Sequence, residues 1–108
     1  MKAHSVAYCT VLLSFLAQAQ YVPKDGFVPD AKTAVKIAEA VLIPVYGEKQ
    51  VESERPFKAV VKNDVWTING TLHCPDGKGG ESPFCSGGTA EVKLSKVDGR
   101  IMKMIHYK

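Results

Sequence analysis

The hydrophobic periodicity of this chain changes once, near Pro56, and this change limits the available folds more than any other feature. Before Pro56, apolar residues recur at spacings of three and four, which is typical of one face of an amphipathic helix. After it, apolar and polar residues alternate in short runs separated by glycine and proline, which is typical of antiparallel strands. The sequence therefore predicts an α+β domain, with one N-terminal amphipathic helix packed on a four-stranded, curved antiparallel sheet.

The predicted helix covers residues 31–43 and begins after Asp30, whose carboxylate can accept a hydrogen bond from a free backbone amide of the first turn. Pro44 has no amide hydrogen and its ring crowds the preceding turn. The helix is therefore predicted to end or kink there, with Gly47 suited to the stop. Residues 48–55 are mostly charged, and we predict a short irregular turn for them.

Four strands are predicted to form a meander, at residues 57–62, 65–72, 89–96 and 100–107. Trp66, Ile68 and Leu72 share one side of the second strand, and we expect this side to face the helix, with Trp66 in the core. The last strand carries apolar residues on both sides, which is typical of a central strand. Asn69 and Gly70 predict a bulge that bends the sheet.

Residues 1–19 have the features of a secretory signal peptide. A lysine precedes an apolar run, and a small-x-small pattern places the predicted cleavage between Ala19 and Gln20. A membrane-spanning helix is the alternative, but the run has about twelve residues where about twenty are needed to cross a bilayer. We therefore expect a periplasmic or secreted protein, with an extended segment at residues 20–25 and one domain at residues 26–108.

The chain carries 14 Lys and Arg residues against 11 Asp and Glu residues, for a formal net charge of +3. This near balance predicts no nucleic-acid partner, because nucleic-acid-binding domains are usually far more basic. No membrane insertion is expected after removal of the leader. Removal of residues 1–19 from the 108 leaves 89 residues, and a core of that size is marginally stable without a crosslink.

Cys74 and Cys85 bracket a segment whose glycine, proline and charge content is incompatible with regular structure. In an oxidising compartment the two cysteines are expected to form a disulfide, which the loop-closure model values at about 3 kcal/mol for a ring of this size. A zinc site that adds His73 and His106 is one alternative, but its spacing fits no standard zinc pattern. A catalytic cysteine is another, and it would need a partner base. We favour the disulfide.

The sequence shows none of the usual catalytic patterns, such as a nucleophile elbow or a pair of histidines on one helix face. The glycines of residues 77–80 follow no strand and precede no helix, so they do not predict a phosphate site. Asn69-Gly70-Thr71 fits the acceptor pattern for N-glycosylation but sits inside a predicted strand. His106 is expected to face solvent near the chain end. We predict a non-enzymatic protein without cofactor or metal.

Several short segments carry a family resemblance through their order and spacing. They are Gly26-Phe27-Val28-Pro29-Asp30, Ala34-Val35-Lys36-Ile37-Ala38-Glu39-Ala40, Ile43-Pro44-Val45-Tyr46-Gly47-Glu48-Lys49, Pro56-Phe57-Lys58-Ala59, Val65-Trp66 with Gly70-Thr71-Leu72, Gly87-Gly88 before Ala90-Glu91-Val92, and Asp98-Gly99-Arg100-Ile101. Together they resemble the short bacterial immunity proteins with a nuclear transport factor 2 fold, which include relatives associated with Rhs-type toxins. The resemblance covers about residues 26–108 and implies a reduced, cystatin-like version of that curved sheet.

The resemblance implies that the protein binds a cognate bacterial toxin and blocks it, and the leader would place this encounter in the periplasm. In any binding mode, exposed loop and sheet edge are the expected contact region, with Phe84 as an apolar anchor and Lys78 and Glu81 as further candidate contacts. Two other hypotheses remain open. One is a PepSY-like periplasmic module that regulates a peptidase, and the other is a small ligand held in the concave sheet.

Overall fold

The computed structural model of this protein describes residues 21–83 and 85–108. The predicted leader, the Ala19–Gln20 cleavage point and Phe84 therefore lie outside the described residues. Within the described ranges, no helix is long and apolar enough to cross a membrane.

Within residues 21–83 and 85–108 the chain forms two helices followed by four strands, which confirms the predicted α+β class. The elements are α1 (Ala31–Tyr46), α2 (Glu48–Ser53), β1 (Lys58–Lys62), β2 (Val65–Asn69), β3 (Ala90–Ser95) and β4 (Ile101–His106). The strands pair antiparallel in the order β1-β2-β3-β4, so the sheet is the predicted meander. Each strand is one to three residues shorter than the alternation predicts, because the outer residues of each run belong to turns.

Helix α1 begins as predicted, with the backbone amide of Thr33 donating to Asp30 Oδ1 at 2.7 Å. The helix continues through Pro44 and ends at Tyr46. Proline at this position leaves the Ala40 carbonyl without its helical donor, but Ala40 is exposed, so water can satisfy that carbonyl. Gly47, at φ 92°, ends the helix, and its amide donates to the Ile43 carbonyl at 2.8 Å.

The prediction of an irregular turn at residues 48–55 is wrong, since Glu48–Ser53 form the short helix α2. Val51 is its single buried residue, with 2% of its surface exposed. Val51 packs against the core, so one side of this short helix is buried. The Ser53 hydroxyl also donates to the Gln50 carbonyl at 2.6 Å. One apolar residue among charged neighbours does not produce a periodic pattern, which is why the sequence conceals this helix.

The core lies between α1 and the face of the sheet that carries Trp66, as predicted. It contains Val28, Ala34, Ala38, Leu42, Val51, Phe57, Trp66, Ile68, Ala90, Val92 and Leu94. The indole Nε1 of Trp66 donates to the Val28 carbonyl at 2.8 Å, so the N-terminal segment is held against the sheet. Trp66 is a buried core residue, 6% exposed, and its only polar group has a partner.

The last strand, β4, is an edge strand, so its two-sided apolar pattern does not mark a central position. Its residues are mostly exposed. For β4, the apolar pattern alone does not distinguish an edge strand from a central strand, because either kind of strand can bury one face of the sheet.

Two expectations for the end of β2 are also wrong. Leu72 lies beyond the end of β2 and is 42% exposed, so it does not extend the helix-facing side of that strand. The sheet irregularity falls between Lys93 and Leu94, where β3 pairs with β4, and not at Asn69 and Gly70.

Leu42→Ala is expected to lower the free energy of unfolding by about 2–5 kcal/mol, because Leu42 is fully buried and its removal leaves a cavity in the core. Val45→Ala, on the exposed side of the same helix at 58% exposure, is the matched control and should change stability by less than about 0.5 kcal/mol. Urea denaturation followed by circular dichroism measures both. Equal effects of the two substitutions would contradict the assignment of the buried face.

Candidate functional site

The segment that we call the cysteine loop, residues 74–85, leaves the sheet after β2 and returns to β3. Cys74 and Cys85 are joined by a disulfide at its base, as predicted, and their Cα atoms are 5.7 Å apart. The two sulfurs are bonded to each other, so neither the zinc site nor the catalytic cysteine retains a thiolate. Among the described residues, no group of histidines, cysteines and carboxylates could hold a metal ion.

Hydrogen bonds within the loop give it a defined shape. The backbone amides of Lys78 and Gly80 donate to Asp76 Oδ1 at 2.7 and 3.1 Å, and the amide of Asp76 donates to the Gly80 carbonyl at 3.0 Å. Nearer the base, the Ser82 amide donates to the Cys74 carbonyl at 2.7 Å. The loop is thus a small closed turn supported by one carboxylate. The sequence showed its composition but not this internal order.

His73 and Glu81 attach the loop to the rest of the domain. His73 Nε2 lies 2.6 Å from the Arg55 carbonyl oxygen, and its Nδ1 lies 3.2 Å from Glu81 Oε1. The other carboxylate oxygen of Glu81 accepts from the Cys74 amide at 2.6 Å. Because both ring nitrogens face acceptors, the carbonyl of Arg55 and then Glu81 raise the pKa of His73. The Cys74 amide and His73 lower the pKa of Glu81.

Residues 55–56, which contact the base of the loop, are fixed by two further contacts. The Arg55 guanidinium forms an ion pair with Glu39 of α1, with Nη2 2.6 Å from Oε1. The Thr71 hydroxyl, just past β2, donates to the Pro56 carbonyl at 2.6 Å. The loop base, α1 and the start of β1 therefore form one connected surface.

Beneath this surface lies a buried carboxylate, Glu54, which is 5% exposed. Its Oε1 accepts from the Ala90 amide of β3 at 2.6 Å. Its Oε2 accepts from Gln50 Nε2 of α2 at 2.8 Å and lies 2.9 Å from Nε2 of His106 in β4. A single side chain thus connects the short helix with the two C-terminal strands. A buried carboxylate needs such a set of donors, because an unpaired charge is costly to remove from water.

Burial acts to raise the pKa of Glu54, but the hydrogen bonds from Gln50, Ala90 and His106 together outweigh it, so the pKa lies below the ordinary value of 4.5. A carboxyl whose pKa is lowered by folding stabilises the native state above its unfolded pKa. That contribution is lost as the pH falls below about 4.5 and through the lower folded value.

The expectation that His106 faces solvent is wrong, since its side chain is only 26% exposed and packs inward. Its Nδ1 lies 2.8 Å from the Tyr107 carbonyl oxygen, and Nε2 faces Glu54. The ring also packs against that of Tyr46, with centroids 5.4 Å apart. His106 and Glu54 are 52 residues apart, so no local pattern in the sequence could have connected them. Both ring nitrogens are engaged, which leaves neither available as a catalytic base.

The candidate contact residues of the cysteine loop differ in their roles. Lys78 lies exposed at the tip, and no ion pair engages it within the described part of the chain. Glu81 lies in the same loop, but its carboxylate is bound to His73 and to the Cys74 amide. Lys78 is thus free to meet another molecule, whereas Glu81 holds the shape of the loop.

A second carboxylate, Glu91, lies on the sheet face opposite α1. It accepts from Asn69 Nδ2 at 3.3 Å and from the Tyr107 hydroxyl at 3.1 Å, and it lies 3.2 Å from Lys103 Nζ. Burial acts to raise the pKa of Glu91, but hydrogen bonds from Lys103, Asn69 and Tyr107 lower it overall. The Asn69 amide is therefore engaged in a sheet contact, which favours a structural role over glycosylation.

Comparison with known proteins gives two similarities. The profile of a family described as "NTF2 fold immunity protein" matches residues 33–108, a range that includes all four strands and the cysteine loop. The chain is also similar to the uncharacterized protein YhhH of Escherichia coli strain K12, with 24% identity over 98 residues that cover 91% of this chain and 70% of YhhH. No solved structure matches the chain significantly. The family match confirms the resemblance seen in the sequence.

Glu54→Ala is expected to lower the free energy of unfolding by about 3–5 kcal/mol at neutral pH, because it leaves the Ala90 amide and His106 without their acceptor in a buried site. Glu52→Ala removes the same charge from an exposed position in the adjoining helix α2 and should change stability by less than about 0.5 kcal/mol. Chemical denaturation of both variants gives the comparison. A loss below about 1 kcal/mol for Glu54→Ala would contradict the central role of this carboxylate.

The attachment of the cysteine loop is expected to weaken as the pH rises. Because folding raises the pKa of His73 above 6.5, the stabilisation from its charged ring is fully present below pH 6.5 and is lost as the pH rises through the higher folded value. Nuclear magnetic resonance should show a titration midpoint for His73 above 6.5 and faster exchange of the Cys74 amide at alkaline pH, relative to residues of the core. His73→Gln should abolish this relative change, and a midpoint at or below 6.5 would contradict it.

Proposed function

The chain belongs to the family of NTF2 fold immunity proteins, and on this premise we propose that it is an exported immunity protein that binds a cognate bacterial toxin and neutralises it. The observation that carries the proposal is the family match over residues 33–108, which covers most of α1 and all of α2 and the sheet. A protein that neutralises a toxin by binding must occupy a surface of the toxin, so it needs a stable shape and an exposed contact region.

Export is supported by the chemistry of the cysteine loop and by the predicted leader. The Cys74–Cys85 disulfide is a crosslink that persists in oxidising compartments such as the periplasm and is rare in the reducing cytosol. Residues 1–19 have the composition of a cleaved signal peptide. Both features favour action in the periplasm, where the toxin would attack the cell wall or the membrane.

Neutralisation by binding is supported by how the reactive side chains are used. The ring nitrogens of His73 and His106 face backbone carbonyls and carboxylates that hold the fold together. The sulfurs of Cys74 and Cys85 are bonded to each other. The histidines and cysteines of the described residues are therefore committed to structure, which favours a protein that works through its surface.

The cysteine loop is the proposed contact region for the toxin. Its internal hydrogen bonds and disulfide order it before binding, which reduces the conformational entropy lost on association. Lys78 offers an exposed charge at the tip, and Phe84 offers an apolar anchor of the kind that carries much of the affinity in protein interfaces. Glu81 supports the contact indirectly, because its carboxylate maintains the loop.

Protection is tested in cells that lack this gene and express a candidate toxin from a neighbouring gene, directed to the periplasm. The full chain should restore growth, whereas a variant without residues 1–19 should remain in the cytosol and fail to protect. Cells that tolerate the toxin without the protein would refute the immunity role. Equal protection by the leaderless variant would refute periplasmic action while leaving the immunity role intact.

The contact region is tested with Phe84→Ala and Lys78→Glu in the mature protein. Each is expected to weaken toxin binding by about tenfold or more, as for a central interface residue, without changing the melting temperature. Val97→Ala is the control, since Val97 is an exposed apolar residue at the β3–β4 turn. Calorimetric titration with the purified toxin measures the affinities. Unchanged binding by both loop variants would exclude the cysteine loop as the contact region.

A further inference from the structure

A groove of about 530 Å³ runs between the N-terminal half of α1 and the strand β1. Its lining combines apolar side chains with three lysines: Ala31, Lys32, Val35, Lys36, Phe57, Lys58 and Ala59. All three lysines are exposed, and none forms an ion pair within residues 21–83 and 85–108. The groove is thus apolar inside and positively charged at its rim.

One carboxylate, Asp30, lies near this rim and offsets part of its positive charge. Asp30 is close enough to Lys32 and Lys36 for their charges to contribute to the lowering of its pKa. Its Oδ1, however, accepts the Thr33 amide and caps the helix, and Asp30 does not line the groove. With three lysines against this one carboxylate, the rim keeps a net positive charge that a second molecule can meet.

Strand β1 is an edge of the sheet, and its outward backbone groups can be identified. The Gly70 amide donates to the Ala90 carbonyl, so the even-numbered residues of β2 bond to β3 and its odd-numbered residues bond to β1. In the β1–β2 register, Val60 is opposite Thr67, which directs the backbone of Val60 inward. Ala59 and Val61, on either side of it, present their amides and carbonyls to the outer edge.

The side chains of β1 complement this exposed edge. Lys58, Val60 and Lys62 share the side of β1 that faces away from the buried side of β2, and Val60 is 68% exposed. Lys58, at the start of the strand, also forms part of the groove wall. Ala59 lies on the opposite side of the strand and forms part of the groove. An added strand would therefore meet two lysines that flank an apolar residue on one face, and an apolar groove with further lysines on the other.

A second copy of this chain is a poor occupant for the edge. If two β1 strands paired antiparallel about Val60, Lys58 of each copy would lie opposite Lys62 of the other. Like charges placed directly opposite on neighbouring strands destabilise the pair. Lysines on an edge strand are a known means of preventing such self-association. The same lysines attract a strand that carries carboxylates in those positions.

We infer that the β1 edge and the adjoining groove bind an extended acidic segment of the partner protein, which adds to the sheet as a fifth strand. Backbone hydrogen bonds to Ala59 and Val61 would align the segment alongside β1. Carboxylates four residues apart in the segment would pair with Lys58 and Lys62. Alternate apolar residues would enter the groove beside α1. This inference rests on the proposed function in one respect only, because it takes the partner to be the toxin.

The groove adjoins the proposed contact region, which supports a single binding surface. Arg55, whose carbonyl contacts His73 at the base of the cysteine loop, is two residues before Phe57 in the groove. An extended segment on β1 would therefore pass close to the base of the loop. The partner could then engage both features at once.

The inference is tested by titrating the isotope-labelled mature protein with a capped peptide in which valines alternate with other residues and two glutamates are four residues apart. Nuclear magnetic resonance should place the shifted amides at Ala59, Val61 and the first two turns of α1. A peptide with lysines in place of the glutamates should bind at least tenfold more weakly. Equal affinity of the two peptides, no binding at millimolar concentration, or shifts confined to other surfaces would overturn the inference.

Two matched comparisons separate strand addition from simple charge attraction. Lys32→Glu combined with Lys58→Glu should weaken peptide binding at least tenfold. Lys24→Glu combined with Lys49→Glu makes the same change in net charge at exposed positions outside the groove and should have little effect. A glutamate peptide with alternate N-methylated amides should lose most of its affinity. If methylation changes nothing, the groove binds an acidic apolar molecule without adding a strand, and the inference fails.

The peptide experiment does not use the toxin, so its failure is distinct from failure of the immunity role. Wild-type protection of cells together with negative peptide titrations would reject only this groove. Specific peptide binding with no protection would reject the immunity role and leave the groove as a peptide-binding site.

Discussion

The arrangement of this domain depends on the carboxylate of Glu54, which is buried where α2, β3 and β4 meet. It can remain charged there because the Ala90 amide, Gln50 and His106 surround it. The backbone of Glu54 contributes as well, since its carbonyl accepts the Thr71 amide at 2.7 Å. A Cβ at Gly70 would lie 2.7 Å from Glu54 Oε1, so only glycine fits beside this carboxylate. The carboxylate therefore constrains where β2 ends and where the chain leaves the sheet.

That exit point determines the surface offered to a partner. From Thr71 the chain enters the cysteine loop, whose base is attached through His73 to the Arg55 carbonyl. Arg55 is in turn paired with Glu39 of α1, and the next residues begin β1 and its groove. A disulfide alone would close the loop but would not orient it. Orientation comes from the polar contacts around residues 54–56, which place the loop and the edge strand side by side.

Much of the fold could be predicted because its signals are local. The cap at Asp30 and the three- and four-residue spacing predict α1, and alternation predicts the four strands and their order. The disulfide was expected from two cysteines that flank an irregular loop, together with a predicted signal peptide. Helix α2 could not be predicted in this way, because its stability comes from burying one residue, Val51, against a core formed elsewhere. The edge position of β4 was missed for a similar reason, since its apolar residues appear on both sides in the sequence.

The features of the candidate site also fall into those with local sequence signals and those that depend on tertiary contacts. The sequence alone determined the helix-then-strands order, the small core around Trp66, the crosslinked loop and the family resemblance, because each depends on residue type and short spacing. Only the tertiary structure decided that His106 meets Glu54 and that Glu81 holds the loop while Lys78 is exposed at its tip. It also decided that three lysines, unpaired within the described part of the chain, line an apolar groove at an edge strand. Such contacts join residues far apart in the chain, and side-chain periodicity carries no information about which distant groups will become neighbours.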